Sequence, residues 1–273
     1  MTIRHLIILL FLSGMTFSSR AQCESKNTTF SPGEKLEYEI YYQWGLIWVN
    51  AGEVFFKVDT AQKNNKPAYY IKSYGWTHKD YDWLFAVRDY YETWVDRETL
   101  RPLSFKCKTS EGGYKTSAAY TFDYKKKKIY TQTETSDEPF TLDTLNISTC
   151  INDVLSALYY VRNMDFSKAE IDKKIPVTFI IENQTYSVYV KYLGKKIITG
   201  RDKKKYRCLK FSAYMPDGTI FNEGEGHYFW LTDDENKIPL MITANIFIGA
   251  IKVYLEKAEG LRYKQSSIVV KKQ

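Results

Sequence analysis

Alternating apolar and polar residues run through most of the chain after residue 34. Clear examples are KLEYEIYY (35–42), SAAYTFDY (117–124) and VTFIIENQTYSVYVKYLG (177–194). A period of two residues is typical of β-strands with one buried face. Turn-forming runs such as EGG, PDG and DDENK separate the strands. The pattern therefore predicts a mainly β fold, a curved antiparallel sheet or an open β-barrel.

One segment, TCINDVLSALYYVRN (149–163), breaks this alternation and predicts a short amphipathic helix over 151–163. The apolar positions at a spacing of three and four residues are Ile151, Val154, Leu155 and Leu158, with Tyr159 beside them. Asn152 or Thr149 is the expected N-cap, and Arg162 suits the C-terminal end of the helix dipole. A curved sheet leaves a concave face, so we expect this helix to cover it rather than to carry catalysis.

Two segments, WVDRETLRPLSF (94–105) and WLTDDENKIPLMI (230–242), share a tryptophan, an acidic turn and a proline before the next strand. Proline fits the first position of a strand because it has no N–H to donate. Two such hairpins on either side of the helix predict two related half-sheets. Since no Pro/Ser-rich linker divides them, we expect a single β-rich domain over 22–273.

The first 21 residues have a basic start, an apolar run and small residues before a cut after Ala21, the pattern of a secretory signal peptide. The run is too short to span a membrane, and no later segment is longer, so no transmembrane span is expected. We expect an exported protein, in the periplasm or associated with an outer membrane. Lipid anchoring at Cys23 is less favoured, because Gln22 precedes it.

Four cysteines, Cys23, Cys107, Cys150 and Cys208, are candidates for structural disulfides in an oxidising compartment, with three pairings open. None is spaced as CxxC, so neither a metal site nor a cofactor is expected. The net charge of +7 is mild for 273 residues. Its densest run, YKKKKIY (124–130), reads as a hairpin turn, so no nucleic-acid partner is expected.

The stretch HKDYDWLFAVRDYYETW (78–94) carries the most concentrated candidate chemistry. The candidate polar cluster consists of His78, Arg88, Asp89 and Glu92, with His227 from the second half. No catalytic motif surrounds them, and the bland interpretation is a loop in which Arg88 and Asp89 form or join a salt bridge. Paired carboxylates such as Asp89 with Glu92, or Glu223 with Glu225, would serve a glycan-active protein.

Four motifs in order, FSPGEKLEYEIYYQWGLIWVNAGEV, VRDYYETWVDRETLRPLSF, CINDVLSALYYVRN and WLTDDENKIPLMI, resemble the DUF3108 family of exported bacterial proteins. The resemblance implies a β-rich periplasmic or outer-membrane-associated protein, often from Bacteroidota or Proteobacteria, and carries over no catalytic residue. The hairpin pattern is also similar to lipoprotein carriers of the LolA and RseB type, whose open half-barrel takes acyl chains.

The sequence thus predicts a non-enzymatic cell-envelope protein that binds a lipid or lipoprotein acyl chain in the concave face of a curved sheet. The expected ligand-binding residues are Trp44, Trp48, Trp83, Phe85, Leu155, Leu158 and Tyr159. Two alternatives stay open. One is a carbohydrate-binding or glycan-active protein, and the other is a structural component of envelope assembly that pairs with a protein partner through strand edges.

Overall fold

In the computed structural model, the described part of the chain comprises residues 25–147, 150–215, 224–246 and 249–270. The predicted signal peptide and Cys23 lie outside it. The helices are α1 (Asp82–Phe85), which follows a 3-10 turn at Lys79–Tyr81, and α2 (Val154–Arg162). The strands are β1 (Lys35–Trp44), β2 (Ile47–Lys63), β3 (Lys66–Thr77), β4 (Arg88–Asp96), β5 (Pro102–Glu111), β6 (Tyr114–Asp123), β7 (Lys128–Thr135), β8 (Thr141–Asn146), β9 (Ile151–Asp153), β10 (Lys174–Ile181), β11 (Gln184–Thr199), β12 (Lys205–Met215), β13 (Gly224–Thr232), β14 (Pro239–Asn245) and β15 (Ala250–Glu259).

All of these strands belong to one sheet, in the order β8-β7-β6-β5-β4-β3-β2-β1-β15-β14-β13-β12-β11-β10-β9. Sheet neighbours are also sequence neighbours except at the pair β1–β15, which joins the first half of the chain to the second. Neighbouring strands are antiparallel apart from β9 and β10, which run parallel. The predicted class, a curved and mostly antiparallel sheet with two halves, is confirmed.

The two hairpins with matching sequences adopt the same structure. Trp94 lies in β4 and Pro102 opens β5, while Trp230 lies in β13 and Pro239 opens β14. In each hairpin the strand pairing shifts by one residue directly after the tryptophan. The residue two positions before the proline has a positive φ in both, 54° at Leu100 and 44° at Lys237. The prediction of related half-sheets is therefore confirmed down to a shared bulge.

The central helix is shorter than predicted, because Ile151–Asp153 forms β9 and pairs with β10. Its N-cap is Asp153 and not Asn152, and the other predicted N-cap, Thr149, lies outside the described residues. The Asp153 carboxylate accepts hydrogen bonds from the backbone N–H groups of Leu155 (2.9 Å) and Ser156 (2.8 Å). Ser156 Oγ in turn accepts from the Asp153 N–H at 3.0 Å, which completes a capping box.

The helix packs between the two half-sheets and not only against one face. Leu155 and Tyr159 are buried in a cluster with residues of β2–β7, whereas Ala157 and Val161 are buried in a second cluster with β10–β13. Residues four apart share a side of the helix, and positions two apart lie nearly opposite. Helix α2 therefore joins the cores of both halves, and we call the sheet face that it covers the inner face.

Arg162 is completely buried, which the expected helix-dipole role did not anticipate. Its guanidinium donates to both carboxylate oxygens of Glu34, at 2.6 and 2.9 Å, and to the backbone carbonyl of Asn236 at 3.0 Å. Glu34 is also fully buried. The side chain of Arg162 thus connects three distant segments: the start of β1, helix α2 and the β13–β14 turn.

The sheet curls so that the β10–β11 turn touches the first half. The Glu182 N–H donates to the Tyr120 hydroxyl at 3.0 Å, and Asn183 Nδ2 donates to Thr133 Oγ1 at 2.7 Å. Thr116 Oγ1 donates to the Glu182 carboxylate at 3.2 Å. Within the described strands, β8 and β9 end the sheet and do not pair with each other. The tip of the β10–β11 hairpin therefore connects the two halves by hydrogen bonds where no strand pairing does.

The prediction that Cys107 and Cys208 form disulfides is wrong, since both are free buried thiols. They pack in separate apolar clusters, Cys107 under β4–β6 and Cys208 beside Trp230. Burial in such surroundings raises the pKa of each thiol to about 12. Cys150 is not among the free thiols.

Candidate ligand-binding rim and cleft

Because neighbouring strands alternate in direction, the β1–β2 and β3–β4 connections lie at the same rim of the sheet. Large apolar side chains are exposed at both: Leu46 (99%), Ile47 (60%) and Trp83 (75%), with Leu84 and Phe85 beside Trp83. We call these five residues the apolar rim. Turns at the opposite rim are polar, as at 64–65 and 125–127.

Arg88 fixes the β3–β4 connection that presents Trp83. Its guanidinium donates to both oxygens of Asp82, at 3.1 and 2.6 Å, and to the carbonyl and hydroxyl of Thr77, at 3.2 and 3.1 Å. The hydrogen bond from Arg88 keeps the pKa of the Asp82 carboxyl below its usual value. The predicted salt bridge of Arg88 is thus real, but Asp82 and not Asp89 is the partner, because Asp89 points to the inner face.

Phe85 anchors the other end of this connection. Its ring lies against Gly112 in the β5–β6 turn, where a side chain on residue 112 would collide with it. The N–H of Gly112 also donates to the carbonyl of Ala86 at 2.9 Å. Trp83 and Leu84 are consequently held outward by a fixed loop.

An open cleft of about 320 Å³ lies beside the apolar rim. It is lined by Tyr74, Trp76, Thr77, His78, Lys79 and Arg88. The two aromatic rings stack on each other with centroids 5.2 Å apart. His78 Nε2 lies 3.2 Å from the Asn50 side-chain oxygen, which holds the imidazole at the edge of the cleft.

The predicted ligand-binding residues separate into two groups. Leu155, Tyr159 and the half-buried Leu158 lie in the core under the sheet, whereas Trp83 and Phe85 belong to the exposed rim. Trp48 is half-buried on the outer face, with the Lys252 ammonium 4.0 Å from its ring centroid. The side chain of Trp44 lies outside the described residues.

The predicted polar cluster is likewise divided. The cleft brings His78 and Arg88 together, while Glu92 lies on the outer face and accepts from Tyr70 (2.6 Å) and Tyr90 (3.0 Å). His227 is buried in β13, on the second half. Asp89 and Glu92 are three residues apart on one strand, so they face opposite sides and cannot form a catalytic pair. Of the alternative pair, Glu223 lies outside the described residues, and so does the side chain of Glu225.

Asp89 interacts with a different carboxyl group, that of Glu111 on β5. Burial raises the pKa of Asp89 most, and the charge and hydrogen bond of Glu111 add to this, while the hydrogen bond from the Ser110 N–H opposes it; together they bring the pKa to about 8. Burial also raises the pKa of Glu111, and the nearby charge of Glu182 adds to this, although the hydrogen bond from Asp89 opposes it. Both carboxyls therefore favour the protonated form more than free carboxyls do. Two carboxyls that hydrogen-bond to each other are too close for a glycosidase pair, whose carboxyls are about 5 Å or more apart.

The inner face is filled largely by the protein itself. Phe30 packs edge-on against Tyr69 and Tyr159, with ring centroids 5.0 and 4.9 Å apart. A cavity of only about 70 Å³ lies between the β4–β5 turn and the start of β9. Within the described residues, no group of three or more His, Cys, Asp or Glu side chains could hold a metal ion.

Tyr74, Trp76 and Glu111 are not among the residues predicted from sequence. The two aromatics do have a signal, because residues i and i+2 of a strand share a face and both lie in the alternating run of β3. No pattern in the sequence indicates Glu111, because its contact with Asp89 depends on how β4 and β5 pair.

The fold and this site define a class: β-rich proteins built on a long, strongly curved antiparallel sheet. One solved structure with this fold is a β-barrel-like protein of the domain of unknown function DUF1849 from Brucella abortus. The two chains are 8% identical, the likeness covers 89% of this chain and 100% of that one, and the TM-score is 0.55. At this identity the likeness concerns the fold alone.

Residues 37–256 match the family described as protein of unknown function (DUF3108). The match spans most of the sequence, so this chain belongs to the DUF3108 family. No curated protein matches it. Among the described helices, none is long and apolar enough to cross a membrane.

Proposed function

We propose that this protein is a non-enzymatic component of the bacterial cell envelope that binds a lipid or a lipoprotein acyl chain. The ligand contacts the apolar rim, and the inner face serves as the core. Export by the N-terminal signal, to the periplasm or the outer membrane, is part of this proposal.

The observation that carries the proposal is the exposure of Leu46, Ile47 and Trp83 at the β1–β2 and β3–β4 connections, which are on the same side of the sheet. Exposed large apolar groups in a cluster mark sites for other molecules, whereas scattered ones need no explanation. Arg88 and Phe85 hold Trp83 in its outward position, so its exposure is a built feature of the loop.

The charges near the rim suit an amphipathic ligand. Lys252 lies over the ring of Trp48, and Lys79 is exposed beside the cleft. Tryptophan and lysine together are typical of positions at the boundary between apolar chains and polar headgroups. Removal of the signal peptide, with Arg4 and Arg20 and no acid, lowers the net charge from +7 to +5, and this positive charge adds attraction to anionic lipids.

Flotation with vesicles of phosphatidylethanolamine and phosphatidylglycerol tests the proposal. We expect the protein to float with the vesicles and a Leu46→Ser/Trp83→Ser variant to stay behind, because burying an aliphatic or aromatic side chain contributes about 1.5–3 kcal/mol. Ile197→Ser is the matched control, since Ile197 is 61% exposed but lies in β11 and belongs to neither of the two connections that form the rim. Equal flotation of all three proteins would exclude the rim as the lipid contact.

The alternative of an assembly component is favoured by β8. This strand is at the end of the sheet order, almost all its residues are exposed, and Leu142 is 70% exposed. An exposed edge strand can add a strand from a partner. Asp143→Pro would block such pairing, so a change in oligomeric state or partner capture by this variant would support the assembly function.

A further inference from the structure

We propose that the cleft beside the apolar rim binds an anionic saccharide, which is the headgroup of the amphipathic ligand. This inference rests on the proposed function, because it assigns the polar part of the same ligand to the neighbouring site.

The floor of the cleft is aromatic and open to solvent. Tyr74 and Trp76 stack with an interplanar angle of 23°, and Phe55 supports Trp76 edge-on, with centroids 6.5 Å apart. Both floor residues are half-exposed on the outer face of β3. The stacked pair presents an outer ring face and ring edges, and an outer aromatic face with a polar group beside it suits the C–H face of a sugar ring, which is apolar at its centre and hydroxylated at its rim.

The edge of the cleft carries hydrogen-bonding and cationic groups. Lys79 and Arg88 each bring a positive charge, His78 brings an imidazole, and Asp82 is the carboxylate paired with Arg88. Arg88 is already paired with Asp82, and two further carboxylates lie nearby, Asp80 next to Lys79 in the chain and Glu53 directly across the strand pair from Trp76. Lys79 is therefore the cation of the lining that a carboxylate or phosphate on the sugar would meet.

The size and position of the cleft agree with a headgroup. Its volume of about 320 Å³ lies near the lower end of the range of small-ligand sites. The edge residue Arg88 is hydrogen-bonded to Asp82, and Trp83 of the apolar rim follows directly in the chain. One amphipathic molecule can thus place its sugar in the cleft and its apolar chain on the rim.

Isothermal titration of the full-length protein with glucuronate, glucose and acetate separates the contribution of the sugar ring to binding from that of the negative charge. We expect glucuronate to bind best, glucose more weakly and acetate not measurably. Trp76→Ala should weaken glucuronate binding by about tenfold or more, and Lys79→Ala should reduce it to the level of glucose. Trp94→Ala is the matched control, because Trp94 is a half-exposed tryptophan on the same face but outside the cleft.

Each other outcome overturns a defined part of the proposal. Acetate binding as well as glucuronate would make the cleft a simple anion site, and equal binding of glucose and glucuronate would remove the charge preference. Equal effects of Trp76→Ala and Trp94→Ala would exclude the cleft. The Leu46→Ser/Trp83→Ser variant should keep its glucuronate affinity, so a failure of lipid binding at the rim and a failure of sugar binding in the cleft are distinguishable.

Discussion

At the residue scale, the buried ion pair of Arg162 and Glu34 gives the largest expected effect of a single substitution on stability. Both side chains are fully removed from solvent, and their opposite charges are paired through two hydrogen bonds. Removing one partner leaves an uncompensated buried charge, so Glu34→Gln should lower the free energy of unfolding by about 3–5 kcal/mol in urea denaturation.

A double variant and a surface variant control this prediction. Glu34→Leu with Arg162→Met removes both charges and should be much less destabilising than Glu34→Gln alone. Glu170→Gln breaks an exposed pair with Lys173 and should change stability little. If Glu34→Gln were no worse than Glu170→Gln, the buried pair would not stabilise the fold.

Asp89 gives a prediction about pH. Its pKa rises from 3.8 to about 8 on folding, so between these values the folded protein holds a proton that the unfolded chain has lost. Stability therefore falls as pH rises through this window, and Asp89→Asn should flatten the dependence. Burial also raises the pKa of Glu111 and raises that of Asp153 to about 6, so the Asp89→Asn variant should keep a smaller dependence of stability on pH. The measurement is a urea midpoint series from about pH 4 to about pH 9; parallel curves for both proteins would contradict it.

These residue contacts are the least accessible to sequence reasoning. Arg162 and Glu34 are 128 positions apart, and nothing in either local pattern indicates the other. The polar residues at 78–94 look like one cluster in the sequence, but the two-residue period of β4 sends Asp89 inward and Glu92 outward. Export to an oxidising compartment would favour disulfides at Cys107 and Cys208, yet their strands bury both as free thiols in separate clusters.

At the scale of elements, the two related hairpins allow a matched comparison. Asp96 accepts from the backbone N–H groups of Glu98 and Thr99, and Asp234 accepts from those of Asn236 and Lys237. Only Asp234 also holds the C-terminal segment, through Ser267 Oγ at 2.7 Å.

Asp234→Ala should therefore be more destabilising than Asp96→Ala, by about 1 kcal/mol for the additional hydrogen bonds. Hydrogen exchange should also show faster exchange around residue 267 in Asp234→Ala but not in Asp96→Ala. Ser267→Ala should reproduce this local effect with the turn intact. Identical exchange in the two aspartate variants would mean that Asp234 does not hold the C-terminal segment.

Elements were predictable where a local pattern determines them. The repeated Trp, acidic turn and Pro predict both hairpins, because proline and turn residues act within a few positions. The start of α2 was misplaced, because Ile151 and Asn152 satisfy a helical spacing as well as a strand. The pairing of β9 with β10 makes residues 151–153 a strand and not the first turn of the helix. The local sequence at 149–163 does not indicate this pairing.

At the scale of the whole molecule, the meander order follows from short turns between successive strands. The junction of β1 with β15 and the curling of one half onto the other are long-range contacts that no local pattern specifies. The apolar rim also depends on the whole sheet, because only the alternating strand directions bring the β1–β2 and β3–β4 connections to the same side.

The cysteine that remains for Cys150 is Cys23, because Cys107 and Cys208 are free. We predict a disulfide between Cys23 and Cys150 in the exported protein, which would tie the N-terminal segment to the connection between the two halves. Peptide mapping without reduction should yield one cross-linked pair and two alkylated thiols. Recovery of Cys150 as an alkylated thiol would contradict the pairing.

Closure of the sheet at the β10–β11 turn gives the last prediction. Asn183 has a positive φ of 61°, so Asn183→Gly preserves the backbone and removes the hydrogen bond to Thr133. Asn65→Gly is the matched control, because Asn65 has a φ of 60° in the exposed β2–β3 turn. Asn183→Gly should lose about 0.5–1.5 kcal/mol more than the control and speed hydrogen exchange in β7 and β10. Equal losses would mean that apolar packing through α2, and not the hairpin tip, holds the two halves together.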